Sequence, residues 1–168
     1  MENNYLTNQR VEQERNTSEL IVERYLNEQG YYTRHSTKEE DWLGYDICVL
    51  SPKQNKEIHI DVKNSETKNQ NTNNFLYTTV NSIGEHYTSK KTDYVAYLNR
   101  PSYLHNKVEI VFIEFYKLHT LLSKYPERQS KKHKLGKYVL ISKDVIKSYG
   151  KTVEYFNIIN YESIKRKY

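Results

Sequence analysis

A single cysteine, Cys48, is all the sulfhydryl chemistry this chain carries, so no intramolecular disulfide can staple its fold and paired-thiol redox chemistry has no basis. No Cys/His spacing along the sequence suggests a zinc site, and a lone strand cysteine reads as a small core residue. Apolar runs long enough for a bilayer are missing. The opening MENNYLTNQRVEQERN also lacks the basic-then-apolar order of a signal peptide, so a cytoplasmic protein is expected. No internal repeat is visible, and the one low-complexity piece, KNQNTNN at Lys68–Asn74, reads as a solvated loop.

What is present is a polar chain of 168 residues, the size of one domain with one sizeable core. Apolar residues make up 36% and charged residues 28%, but the apolar ones recur periodically, which argues against disorder. A net charge of +5 favours a polyanionic partner, though only modestly by itself. The 17 tyrosines suggest base-stacking platforms, yet a compositional bias that also enriches Asn and Lys explains them without functional content.

Helical spacing of Val11, Ser18, Leu20, Ile21, Val22, Tyr25 and Leu26 predicts a helix from about Asn8 to Gln29, with a fresh N-cap available in Asn16–Ser18. Gly30 stands where a left-handed C-terminal cap is needed. A polar loop containing STKEEDW follows, then alternation in Tyr45–Leu50 and Glu57–Val62 around the turn-forming SPKQNK, which together make a hairpin. Phe75–Val80, Tyr94–Leu98 and Val108–Phe115 read as further strands, and SIGEHYTSKK as a short helix or turn. YKLHTLLSKY turns helical, KYVLIS follows as a strand, and KDVIKSY makes a short helix capped by Ser142 and ended by Gly150. This order implies an α/β domain with a mixed central sheet covered by helices.

The hairpin is where the sequence is most informative. A four-residue turn at Pro52–Asn55 pairs Ser51 with Lys56, Val49 with Ile58 and Ile47 with Ile60, and sets Asp46 opposite Asp61. Ile47, Val49, Ile58, Ile60 and Val62 then share one face, while Asp46, Cys48, His59, Asp61 and Lys63 share the other. Like charges directly opposed cost about 0.2–1 kcal/mol, and a divalent cation held between the carboxylates would offset this. Lys63 projects from the same face about 6.6 Å beyond Asp61, within reach of a metal-bound water or a phosphate. A surface salt cluster of Asp46, Asp61 and Lys63 is the plain alternative, and the same acid-any-Lys spacing in Glu66–Lys68 falls in a loop where it carries no meaning.

With GYD supplying Asp46, IDVK supplying Asp61 and Lys63, and SELIVERYLNEQGY as the helix in front, the sequence resembles the PD-(D/E)XK nuclease superfamily over about Ser18–Leu98. That resemblance implies a restriction-endonuclease-like α-β-β-β-α-β core, one acid at an end of the second strand, an acid-any-lysine triplet on the next, and a glutamate from the first helix. Glu19 is the helix glutamate it implies, and Glu23, one turn later on nearly the same face, is the competing assignment. Asp41 sits where related nucleases sometimes carry an extra acid, although a loop-solvating role fits it as well. The residue before Asp46 is Tyr45 and not proline, and the triplet begins with Asp instead of Glu. The family core would span about residues 8–115, with 116–168 as a C-terminal elaboration setting substrate choice.

The implied activity is an Mg²⁺-dependent endonuclease, with Mn²⁺ able to substitute, that hydrolyses phosphodiester bonds of DNA, RNA not being excluded. Asp46, Asp61, Glu19 and the carbonyl of Val62 would hold the metal, and Lys63 would orient water or steady phosphorane charge. Lys90, Lys91, Lys131, Lys132, Lys134 and the tail KRKY are candidates for phosphate contacts; taken singly, each reads as a solubilising charge. Cutting both strands would favour a homodimer. The competing expectation is a nuclease-like module, phage- or mobile-element-like in character, that binds nucleic acid or a protein without cleaving.

Overall fold

The computed structural model describes residues 18–51, 55–64, 73–80, 84, 91–99, 107–131 and 134–155. Helix α1 covers residues 18–28 and ends as its glycine predicts. Gly30 takes φ 85°, the Tyr31 N–H donates to the Leu26 carbonyl at 3.1 Å and the Gly30 N–H to Asn27 at 3.0 Å, the paired bonds of a Schellman cap. Residues of the expected helix before 18 lie outside the described residues, as does SIGEHYTSKK apart from Gly84 and Lys91.

The strands and helices that follow are β1 (Tyr32–His35), α2 (Lys38–Trp42), β2 (Ile47–Ser51), β3 (Lys56–Asn64), β4 (Asn74–Val80), β5 (Tyr94–Asn99), β6 (Val108–Glu114), α3 (Phe115–Leu122), β7 (Arg128–Gln129), β8 (Lys137–Ser142), α4 (Lys143–Tyr149) and β9 (Lys151–Tyr155). Six strands form one mixed sheet in the order β1-β2-β3-β5-β6-β9, with β3 and β5 parallel and the other neighbours antiparallel. The hairpin register is the expected one: Ser51 faces Lys56, Val49 faces Ile58 and Ile47 faces Ile60.

Two cores sandwich this sheet. On one face Ile21, Val22 and Leu26 of α1 pack on Ile47, Val49, Ile60, Ala96 and Leu98. On the other, Phe75, Tyr77, Val139 and Ile141 from the second sheet join Leu118, Leu121 and Ile146 of α3 and α4 against Val95, Tyr97, Val111 and Ile113. Strand β5 alternates between these cores, which is why its sequence is apolar almost throughout.

Several expectations need correction. The stretch read as a polar loop contains β1 and α2, the latter opened by a capping box in which Thr37 and Glu40 bond each other's backbone. Phe75–Val80 is a strand but leaves the main sheet: β4 pairs with β8 in a three-stranded sheet, β4-β8-β7. Ser142 holds the N-cap position of α4 without a side-chain cap bond. Gly150 has φ −109°, so it is no left-handed cap; it is needed for space, since a Cβ there would stand 2.8 Å from the Phe112 carbonyl and 2.9 Å from Val111 Cγ1. Because the nearest atom is backbone on a central strand, Gly150→Ala is expected to cost about 1–3 kcal/mol, read as a lower urea midpoint at unchanged slope. From the C-terminal half, β9 pairs with β6, and α3 and α4 supply much of one core.

Candidate metal centre

Gly44, at φ 93°, turns the chain out of α2 and points Tyr45 inward, where its ring stacks on His59 at 4.1 Å. Asp46 comes next, just before β2 begins. Its N–H donates to the Ile60 carbonyl at 2.9 Å, and its carbonyl accepts from Ser36 at 2.9 Å. Its carboxylate does what a strand residue would do: Oδ2 accepts from the Val62 N–H at 2.6 Å, extending the ladder just ahead of β2. A strand residue's N–H and C=O face the same neighbour, so the Val62 carbonyl also opens toward Asp46.

Asp61 and Lys63 lie on β3 opposite Val95 and Tyr97 of β5 and share their face of the sheet. Asp61 is 2% exposed, and Lys63 Nζ donates to its Oδ1 at 2.6 Å. Asp46 and Asp61 are close enough for a side-chain hydrogen bond, with a protonated Asp46 donating. Burial, and then the Asp61 charge, push Asp46 up to about 6, against the opposing pull of Lys63 and the Val62 N–H. Tyr97 lies in the same field: its buried hydroxyl has no hydrogen-bond partner among the described residues, and burial followed by the Asp61 charge raises its phenol well above the usual value. Asp61 is thus buried and Asp46 half-buried, each carboxylate held by a bond of its own, to the Lys63 ammonium and the Val62 N–H.

The structure brings Asp46, Asp61, Lys63 and Val62 together; Glu19 it places differently. The Glu19 carboxylate is 3.5 Å from His35 Nδ1 and Glu23 is 2.9 Å from His35 Nε2, so both helix glutamates converge on one imidazole at the end of β1. His35 pairs with Ile47, the neighbour of Asp46, so α1 lays its acids at that end of the sheet but on the Ile47 face, whereas Asp61 shares the opposite face with Val95. Among the described residues, however, Glu19 does not complete a three-donor group with Asp46 and Asp61.

Of the phosphate-contact candidates, Lys90, Lys132 and the KRKY tail lie outside the described residues. Lys131 and Lys134 are exposed in the β7–β8 connection of the second sheet. Lys91 anchors the loop before β5, its N–H on the Leu43 carbonyl and its own carbonyl on His59. An open groove of about 510 Å³ beside α1, lined by Tyr25, Ile58, Tyr94, Phe112 and Lys117 among others, includes none of the acid pair or Lys63.

One grouping escaped the sequence reading. Cys48 of β2 and Glu57 and His59 of β3 place Sγ, a carboxylate oxygen and a ring nitrogen within 4.8 Å of one another. The signal was present in the register, which sets Cys48 opposite His59, but not in any linear Cys/His spacing. Burial pushes the Cys48 thiol up to about 11, so in the metal-free protein it is an S–H donor toward Glu57.

Comparison with protein-family models, curated proteins and solved structures gave no match to this chain. Among the described residues no helix is long and apolar enough to cross a membrane.

Proposed function

We propose that the chain is a divalent-metal-dependent nuclease of PD-(D/E)XK type that hydrolyses phosphodiester bonds of DNA. The observation that carries this reading is the juxtaposition of buried Asp61 with half-buried Asp46 and Lys63 where β2 and β3 meet. Two carboxylates in a shared low-dielectric site repel each other unless a proton or a cation stands between them. The donor set suits a hard ion, since two carboxylates and the adjoining Val62 carbonyl are all oxygen ligands of the kind Mg²⁺ takes along with waters and phosphate. Element order adds support. Because β1 precedes the hairpin, Asp46 begins the second strand, the acid-any-lysine triplet lies on the third, and a glutamate-bearing helix comes first, as that superfamily's layout would have it.

A bound Mg²⁺ supplies Lewis acidity toward water and phosphoryl oxygen. The rest is the work of this chain. Asp46 and Asp61 fix the cation, Asp46 being held by the Val62 N–H and Asp61 by its strand. Lys63, about a third exposed, keeps its ammonium beside Asp61 and presents positive charge to a phosphoryl group entering from solvent. Glu19 bonds His35 on the opposite face of the sheet and is left out of the proposed ligand set.

The deciding assay is cleavage of linear, supercoiled, single-stranded and four-way-junction DNA, with Mg²⁺ and with EDTA. Wild type is expected to cut at least one of them with Mg²⁺ only, and Asp61→Asn none. Binding without cutting by folded wild type would favour the silent-module reading, and equal cutting by Asp61→Asn would end the nuclease one.

A further inference from the structure

The geometry points to a second metal site, for a thiophilic ion of the Zn²⁺ class, formed by Cys48, His59 and Glu57 on the outer part of the same sheet face. It does not depend on the nuclease reading. Each donor arrives on a strand and not on a loop: Cys48 stands opposite His59 across β2 and β3, and Glu57 follows on the same side of β3. A tetrahedral ion with bonds of about 2.0–2.3 Å holds its donors about 3.3–3.7 Å apart. His59 Nε2 and Glu57 Oε2 are already 3.6 Å apart, and all three donor atoms fall within 4.8 Å. Closing the set therefore needs rotamer adjustment of an exposed glutamate, not movement of backbone.

His59 is oriented as a ligand needs to be. Its Nδ1 lies 3.1 Å from the Lys91 carbonyl, which can only accept, so Nδ1 donates there and Nε2 is the ring nitrogen turned toward the cluster. The ring is also clamped against Tyr45 at 4.1 Å. Charge balances as well, since a thiolate and a carboxylate neutralise a dication, the thiol proton leaving to solvent as the ion binds. Arg34, the cation that faces the cluster from β1, bonds Glu57 at 2.8 Å but grips Glu40 with both nitrogens at 2.7 and 2.9 Å. It thus keeps a full partner when Glu57 turns to the metal. Sulfur and imidazole select Zn²⁺, Co²⁺ or similar ions over Mg²⁺, so this site and the all-oxygen pair would sort ions by chemistry.

Chelator-treated full-length protein titrated with Co²⁺ tests this directly. One equivalent should produce the near-ultraviolet thiolate-to-cobalt charge-transfer band and tetrahedral visible absorption, and Zn²⁺ should bleach both while excess Mg²⁺ does not. Cys48 is the chain's sole cysteine, so the band can have no other source within it. Cys48→Ser should abolish the band, His59→Asn should weaken binding by roughly 100-fold or more, and Asp61→Asn should leave it intact. Circular dichroism confirms that each variant is folded. A wild-type protein without the band, a His59→Asn protein with undiminished affinity, or one cobalt shared by two chains would overturn the site.

Discussion

Lys63→Met protein, freed of metal by EDTA, is expected to unfold about 2–3 kcal/mol more easily than wild type, and to recover more of that loss with Mg²⁺ than wild type gains. Met keeps the length of the side chain and removes its charge, so Asp61, 2% exposed, stays buried beside Asp46 with its cation gone. Stranding a buried charge costs about 3–5 kcal/mol; the lysine's partial exposure reduces that here. A divalent ion between the carboxylates restores the missing positive charge. It binds with less opposition once the ammonium is absent, and each hundredfold excess over Kd adds about 2.7 kcal/mol. Under the proposed nuclease function, cleavage by the same variant should fall by roughly 10²–10³, because Lys63 would then serve the reacting phosphate and not the metal. Urea melts with Mg²⁺ and with EDTA, alongside single-turnover cleavage, separate these effects. Mg²⁺ that stabilises neither protein would mean that Asp46, Asp61 and Lys63 form only a salt cluster.

That the acid pair could be found at all follows from a property of strands. The period of two makes a hairpin's apolar side fix its register, and the register then dictates what faces what on the polar side. Ile47, Val49, Ile58 and Ile60 form such a side, and the core under α1 uses all of them. The same register sets Cys48 opposite His59. The metal-binding potential there was missed because ligand motifs are sought along the chain, whereas these donors meet across a ladder. Strand β1 is four residues long on a sheet edge with mostly exposed side chains, so no apolar alternation announces it. The capping box of α2 is legible in Thr37 and Glu40, but the polar residues around it carry no apolar periodicity to mark a helix. The departure of β4 from the main sheet was not legible, since alternation says which face of a strand is apolar and nothing about which strand it pairs with. The helix glutamates show the same limit. Their spacing set Glu19 and Glu23 on one face of α1, but only the fold reveals that His35 receives both.

Asp46→Asn should be more stable than wild type in metal-free buffer, by about 2–3 kcal/mol above pH 7, with the difference vanishing near pH 4. Asp46 is held at about 6, above its unfolded value, so the folded protein binds an extra proton between those two values. For a raised acid, the stabilising contribution is complete below the unfolded pKa and is lost as pH climbs through the folded one. Wild type therefore weakens from about pH 4 to pH 7 as the buried pair is forced toward two charges, with Lys63 as the compensating cation. Asparagine escapes this cost while keeping the local bonds: its amide oxygen can accept from the Val62 N–H, and its amide nitrogen can donate to Asp61 in place of the acidic proton. It does so by giving up a ligand charge, so Mg²⁺ should raise the melting temperature of wild type at pH 8 and leave Asp46→Asn unmoved. Stability measured against pH in EDTA, followed by thermal shift with Mg²⁺, distinguishes the cases. An Asp46→Asn protein less stable than wild type at pH 8 would mean that the carboxylate is held there for its bond to Val62, with no cation to hold. A more stable, metal-blind variant is the signature of a residue that strains the fold in order to bind an ion.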